Sequence, residues 1–186
     1  MASERSSLFV ARMVELASDP GPRADLRSGL GRTVDQASRL HRYVASWTGS
    51  AGPHEKAVYY TVSSLIAYRH EDAIPAAWAG NLGTSIARCG RIALNTREAS
   101  VHLLTRQPAS ALCKVLTRIV MPLRAEATPV DFAALLDQSS RWPARRQQIG
   151  SEWLQSFYRE IDRDGDTEPD EELDTAAGDF PDTHGS

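Results

Sequence analysis

Residues 128–161 read TPVDFAALLDQSSRWPARRQQIGSEWLQSFYREI, two consecutive amphipathic helix patterns holding two of the four tryptophans. Thr128 and Asp131 have the spacing of an N-cap and the partner that completes a capping box, with Pro129 at the tolerated first helical position. Phe132, Leu135 and Leu136 follow at i, i+3 and i+4, so one side of this helix is apolar. Pro143 ends it, because the residue before a proline is pushed out of the helical region, and the same proline can begin the next helix. There Ile149, Trp153 and Phe157 recur every four residues, Leu154 and Ile161 widen the stripe, and Arg141, Arg145 and Arg146 lie off it. The pattern predicts two helices packed on an aromatic seam, with guanidinium groups turned outward.

The same period runs through the rest of the chain. A first helix is expected over 7–16, through Leu8, Phe9, Met13 and Leu16, stopped by DPGP at 19–22. In RADLRSGLGR (23–32), Ala24 and Leu26 are expected inside, Arg23 and Arg27 stack one turn apart, and Gly29 and Gly31 break the helix. A helix over 34–47 and a strongly periodic one over 55–68 flank the loop TGSAGPH, whose glycines and Lys56 do not have phosphate-loop spacing. After an irregular 70–80, Asn81 caps a helix through Leu82, Ile86 and Ile92 that carries Arg88 and Arg91. A short helix over 96–105 follows, then a longer one from Pro108 through Leu112, Leu116, Ile119 and Val120, with a kink near Pro122. No segment alternates apolar and polar residues, and nothing repeats. The fold class is all-α.

The length, 186 residues, fits one domain able to bury roughly 70% of its unfolded surface. No stretch approaches the ~20 apolar residues of a membrane span, and MASERSSLFV lacks the pattern of a secretory signal. Cys89 and Cys113 stand far apart within helical patterns, as small buried residues do, which suits the cytoplasm. The net charge of −3 hides a division. From Glu160 onward there are 11 acidic residues against Arg163 alone, a charge of −10, which leaves +7 on residues 1–159. Nineteen of the 21 basic residues are arginine, the side chain that grips phosphate with a bidentate fork.

Catalytic signatures are missing: no HExxH, no nucleophile elbow, no dinucleotide-binding glycines, and five dispersed histidines. His70-Glu71-Asp72 reads as a helix-end feature. Glu160, Asp162, Asp164, Gly165, Asp166 and Glu171 echo a calcium loop, but the first position is Glu and Pro169 intrudes before the exit helix. No metal, cofactor or enzymatic activity is expected. Basic residues at 23, 27, 39, 42, 88, 91, 114, 118, 145 and 146 recur off the apolar stripes of several helices. Where such faces coincide they form a positive track for a phosphate backbone, blind to sequence and sensitive to salt. A helix-turn-helix regulator would gather its polar contacts on one helix, and no helix here does. A free-standing helical scaffold or regulator with a protein partner is the alternative.

The order of features resembles CasB, the small subunit of the type I-E CRISPR interference complex Cascade. The matching pieces are RADLRSGLG (23–31), YYTVSSLIA (59–67), NLG (81–83), LTR (116–118) and DFAALL…W…EWLQSFY (131–158), in order over nearly all of residues 8–159. The resemblance implies two small helical bundles, taken as residues 1–105 and 106–160; the acidic tail, 161–186, lies outside the family pattern and is expected to be flexible from its charge and its few apolar residues. It implies a non-catalytic role: contacts with other Cascade subunits and a second copy of itself, and stabilisation of guide RNA and unwound target DNA. Arg27 and Arg118 fall on motif positions that are basic in the family. Ser28 departs from it, standing where Arg is frequent. Arg23, Arg91, Arg145 and Arg146 join the candidate nucleic-acid contacts on the charge argument. An acidic tail beside a basic body is also a tethered competitor for the same track.

Overall fold

The stretch 128–161 folds as two helices on an aromatic seam in the structure, a computed structural model that describes residues 2–71 and 77–165. Nine α-helices are found among the described residues: α1 (Glu4–Ser18), α2 (Pro20–Arg27), α3 (His41–Val44), α4 (Pro53–Tyr68), α5 (Leu82–Ala87), α6 (Leu94–Thr105), α7 (Ala109–Val120), α8 (Phe132–Ser140) and α9 (Trp142–Gly165). Short 3₁₀ turns join them, and no strand occurs among the described residues. The acidic residues after Gly165, and Asp72 and Pro75 of the irregular segment, lie outside the described residues.

Ile149, Trp153 and Phe157 are all buried, as the four-residue recurrence requires. Trp153 stacks on Trp142 with ring centroids 5.1 Å apart and planes 27° from parallel. Each indole also places its N–H: Trp153 Nε1 donates to Gln138 Oε1 at 2.7 Å, and Trp142 Nε1 to the Gln107 carbonyl at 3.0 Å. Burying rings of this size stabilises by roughly 1.5–3 kcal/mol apiece, and the paired N–H groups keep that gain from being offset by desolvation.

α4 is the central element. It packs against α1, α2, α7 and α8, and from Val58 to Ala67 every residue but Thr61 is buried. Two of them are serines. Ser63 Oγ donates to the Tyr59 carbonyl at 2.7 Å and Ser64 Oγ to the Tyr60 carbonyl at 3.0 Å, so a polar side chain can face the core here. Phe9 of α1 meets Tyr59 and Trp47 edge-on, centroids 4.6 and 5.4 Å away. α9 in turn lies along α5 and α6, and helices on either side of residue 106 pack on each other throughout.

Four local expectations are corrected. The cap of α8 is Asp131, whose Oδ1 accepts from the amides of Ala133 and Ala134, both at 2.9 Å. Thr128 caps nothing: its N–H donates back to the Leu123 carbonyl at 3.1 Å, five residues earlier, and its carbonyl accepts from the buried Arg69 guanidinium. Residues 34–47 are not one helix but two 3₁₀ turns, α3 and a third 3₁₀ turn. Thr33 and Gln36 close a capping box there, and Ala37 leaves helical geometry at φ −99°, ψ 45°. α5 stops at Ala87, and Ile92 reaches the core from outside it. Ala24 is exposed, whereas Leu26 is buried as expected.

The caps differ in what else they hold, and this yields a measurable difference. Among the described residues the Asp131 side chain makes no hydrogen bond besides those of the cap. Asn81 accepts from the amides of Gly83 and Thr84 at 3.0 and 3.3 Å, and its Nδ2 donates across to Ser156 Oγ at 2.8 Å on α9. Asp131→Ala is expected to cost about 1 kcal/mol in urea unfolding, with Asp131→Ser restoring most of it. Asn81→Ala should cost more than Asp131→Ala. Equal losses would show that the bond to α9 adds nothing.

Candidate nucleic-acid interface

Arg27 closes α2 and is exposed, with its guanidinium carbon 5.8 Å from the centroid of the Tyr68 ring. Tyr68 is the last residue of α4. Arg124, in the 3₁₀ turn Pro122–Glu126 after α7, lies 5.2 Å from the same centroid and pairs with Glu71 at 3.5 Å. Three segments far apart in sequence thus bring two guanidinium groups to one aromatic ring. The attraction of each cation for the ring face is modest, about 0.5–1 kcal/mol at exposed sites, but it holds both forks in place.

The same 3₁₀ turn reaches Arg91. Glu126 accepts from the Arg91 backbone amide at 3.1 Å, and that bond holds its exposed carboxyl below its ordinary value. The Arg91 side chain is exposed. Arg118 is exposed in the last turn of α7, immediately before the turn that carries Arg124. Arg27, Arg91 and Arg118 are thereby tied to one short segment. Arg23 is half-buried one turn before Arg27 on α2.

Arg145 and Arg146 stand elsewhere, at the start of α9, where Arg145 departs from helical geometry at φ −132°. They line a hollow of about 580 Å³ with Pro108, Ala109 and Trp142, at the opposite end of α7 from Arg118. At 1.5 Å per residue, Ala109 and Arg118 are roughly 14 Å apart along that helix. Among the described residues no hydrogen bond or ion pair engages the side chains of Arg23, Arg118, Arg145 or Arg146.

Other arginines read as outward are ion-paired, as Arg124 is. Arg88 Nε donates to the buried Glu160 carboxylate at 2.6 Å, where Arg163 also donates, and Arg88 Nη1 donates to the Ala79 carbonyl at 3.3 Å. It fastens α5 to α9 and is no part of a free basic face. The cause is the burial of Glu160, which as a lone charge would be costly and so takes two cations. Arg39 and Arg42 both point at Asp25, at 3.8 and 3.4 Å, beside Tyr43, which donates to the same carboxylate at 3.0 Å. Two contributors are not marked by the sequence: Arg124, which lies beyond the last periodic stripe of α7, and Tyr68, which nothing in the sequence pairs with residues 27 or 124.

Among the described residues no three of His, Cys, Asp and Glu gather as metal ligands. Cys89 and Cys113 are both thiols, and burial pushes each above its ordinary value.

The architecture is shared with several solved chains. A chain of a CRISPR RNA-guided surveillance complex, pre-nicking, is similar with a TM-score of 0.78 and 24% identity, over 88% of this chain and 97% of that one. CasB from M. ruber is similar with a TM-score of 0.72 and 21% identity, over 91% of this chain and 100% of the other. CasB from Thermobifida fusca follows at 0.62 and 18%, over 85% and 99%. At these identities the likeness is one of fold. No curated protein sequence matches the chain. The model of the family described as CRISPR-associated protein Cse2 matches residues 22–158, from the start of α2 to deep within α9. That span holds every arginine of the candidate interface together with the stacked tryptophans of α9, and with nearly three quarters of its length matched the chain belongs to the CRISPR-associated Cse2 family, the family of CasB.

Proposed function

We infer that this chain is a non-catalytic small subunit of a type I-E CRISPR interference complex, Cascade. There it would hold guide RNA and unwound target DNA through its arginines and stabilise the R-loop. The observation that carries the reading is the gathering of Arg27 and Arg124 over Tyr68, with Arg91 and Arg118 tied to the same turn. Guanidinium forks grip phosphate whatever the base, and the ring they share keeps the two forks side by side. Membership of the Cse2 family, and the likeness to a chain of an RNA-guided surveillance complex, supply the setting. A second copy of the chain and the other Cascade subunits are the protein partners, in the cytoplasm. No helix among the described residues is long and apolar enough to cross a membrane.

Two measurements test this. Co-expressed with the neighbouring gene products, the tagged chain should bring down a complex that carries guide RNA. Alone, it should retain single-stranded DNA at low salt. Neutralising about six phosphates on a single strand gives a salt slope near −4, so affinity should drop roughly 10²- to 10³-fold between 50 and 200 mM salt. Binding indifferent to salt would favour a helical scaffold with a protein partner instead.

A further inference from the structure

A second basic feature lies near that interface, with its Lys114 one turn before Arg118 on α7. Between α4, α7 and the turn after Gly31 runs a groove of about 680 Å³. Its floor is apolar, formed by Val34, Ala57 and Cys113, and burial pushes the Cys113 thiol up. Its cations are Arg32, Lys56 and Lys114, and Asp35 is the single acidic residue among those lining it. The chain has only two lysines, and both are here. The groove has no aromatic residue in its lining on which a base could stack. It fits an apolar side chain flanked by carboxylates.

This chain carries such a segment. Residues 166–186 hold eight acidic residues and no lysine or arginine, and within them runs Gly178-Asp179-Phe180-Pro181-Asp182. Phe180 is the one aromatic residue after Tyr158, and an aspartate stands on each side of the Phe-Pro pair. Reach sets no obstacle. From Gly165, the 15 residues to Phe180 can extend about 50 Å, whereas a body of this size has a radius of gyration near 15 Å.

We propose that the segment Asp179–Asp182 docks in the α4–α7 groove, with Phe180 on the Val34–Ala57–Cys113 floor and Asp179 and Asp182 paired with Lys56, Lys114 and Arg32. Tethering makes the encounter intramolecular, so weak surface pairs suffice at an effective concentration in the millimolar range. The docking does not depend on the nucleic-acid reading and can fail or hold without it.

The two lysines supply the assay. The full chain and its full-length D179N/F180A/D182N variant are acylated with an amine-reactive ester at low salt, and modification of Lys56 and Lys114 is followed by mass spectrometry. Both lysines are expected to react several-fold faster in the variant, and the difference should shrink as salt is raised. In parallel, benzoylphenylalanine placed at position 180 of the full chain should photo-cross-link within the monomer to residues 53–61 or 110–117. Equal acylation rates with cross-links absent or scattered would overturn the proposal. So would cross-links confined to dimers, which would give the groove to a second copy. Protection of both lysines by poly-dT, with no effect of the tail variant, would give it to nucleic acid and also overturn the proposal.

Discussion

Gly83→Ala is expected to unfold the protein or to lower its melting temperature further than alanine at the other described glycines whose φ is negative. A Cβ at Gly83 would stand 1.9 Å from the Trp153 carbonyl oxygen and 2.7 Å from its carbon. Both are backbone atoms of α9, so no side chain can rotate away. Ordinary C···O contacts begin near 3.3 Å, so α5 and α9 would have to part by roughly 1.4 Å. That separation loosens the whole seam: the Asn81 bonds to α9, the Arg88–Glu160 pair and the packing of Trp153 all span it. Overpacking typically costs about 1–3 kcal/mol when a core can yield, and here the loss should exceed that range. Gly21→Ala in α2 is the internal control. Nothing lies within 4 Å of its would-be Cβ, so it should be neutral or stabilise by up to about 1 kcal/mol. Urea or thermal unfolding followed by circular dichroism decides. Similar stability of the two variants would mean that α5 and α9 do not approach as closely as described.

The contrast between these two glycines shows what a one-dimensional reading can and cannot reach. Helix periodicity is local, so the buried stripe of Ile149, Trp153 and Phe157 was legible, as were the all-α class and the caps whose side chains act on their own helix, such as Asn81. Gly83 could only be read as part of a helix start, because the backbone it touches lies seventy positions away. Thr128 and Asp131 make the same point at a cap. Both have capping chemistry, but Asp131 is the one that immediately precedes the helix, while the Thr128 carbonyl accepts from the Arg69 guanidinium across the core. The segment 34–47 failed for a local reason, since polar side chains there compete with the helix for its own amides. At the candidate interface, charge and periodicity give exposure but not pairing. Arg27 and Arg88 look alike in sequence, each off an apolar stripe. One lies exposed beside Tyr68 and the other is clasped by a buried carboxylate that no spacing announces. Arg124 and Tyr68 join the interface only because α2, α4 and the turn after α7 end at the same place.

Charge reversal at Arg27 and Arg118 together is expected to weaken single-stranded DNA binding by about 10²-fold or more at low salt. A charge-assisted hydrogen bond is worth about 1.5–3 kcal/mol, roughly tenfold to a hundredfold for each arginine. Neither side chain is committed elsewhere: both are exposed, and no ion pair engages either among the described residues. The loss should be the same for every sequence tested, because phosphate contacts carry no base information. The salt dependence should flatten by somewhat more than one unit of log–log slope, at about 0.7 for each single-strand phosphate that is no longer neutralised. The fold should survive. Each residue closes a helix, so a new carboxylate there opposes the helix dipole by about 0.3–1 kcal/mol, a small fraction of a domain's stability. Arg12→Glu supplies a control with the same change of charge, at an exposed residue of α1 already paired with Glu15 at 2.6 Å, and should leave affinity within a few-fold of the parent. Circular dichroism on each variant separates the outcomes. If R27E/R118E loses its helical signal, these arginines hold the fold and the interface lies elsewhere. If it stays folded and binds with undiminished affinity and slope, the track does not run past the ends of α2 and α7, and the pair Arg145 and Arg146 becomes the remaining place to look.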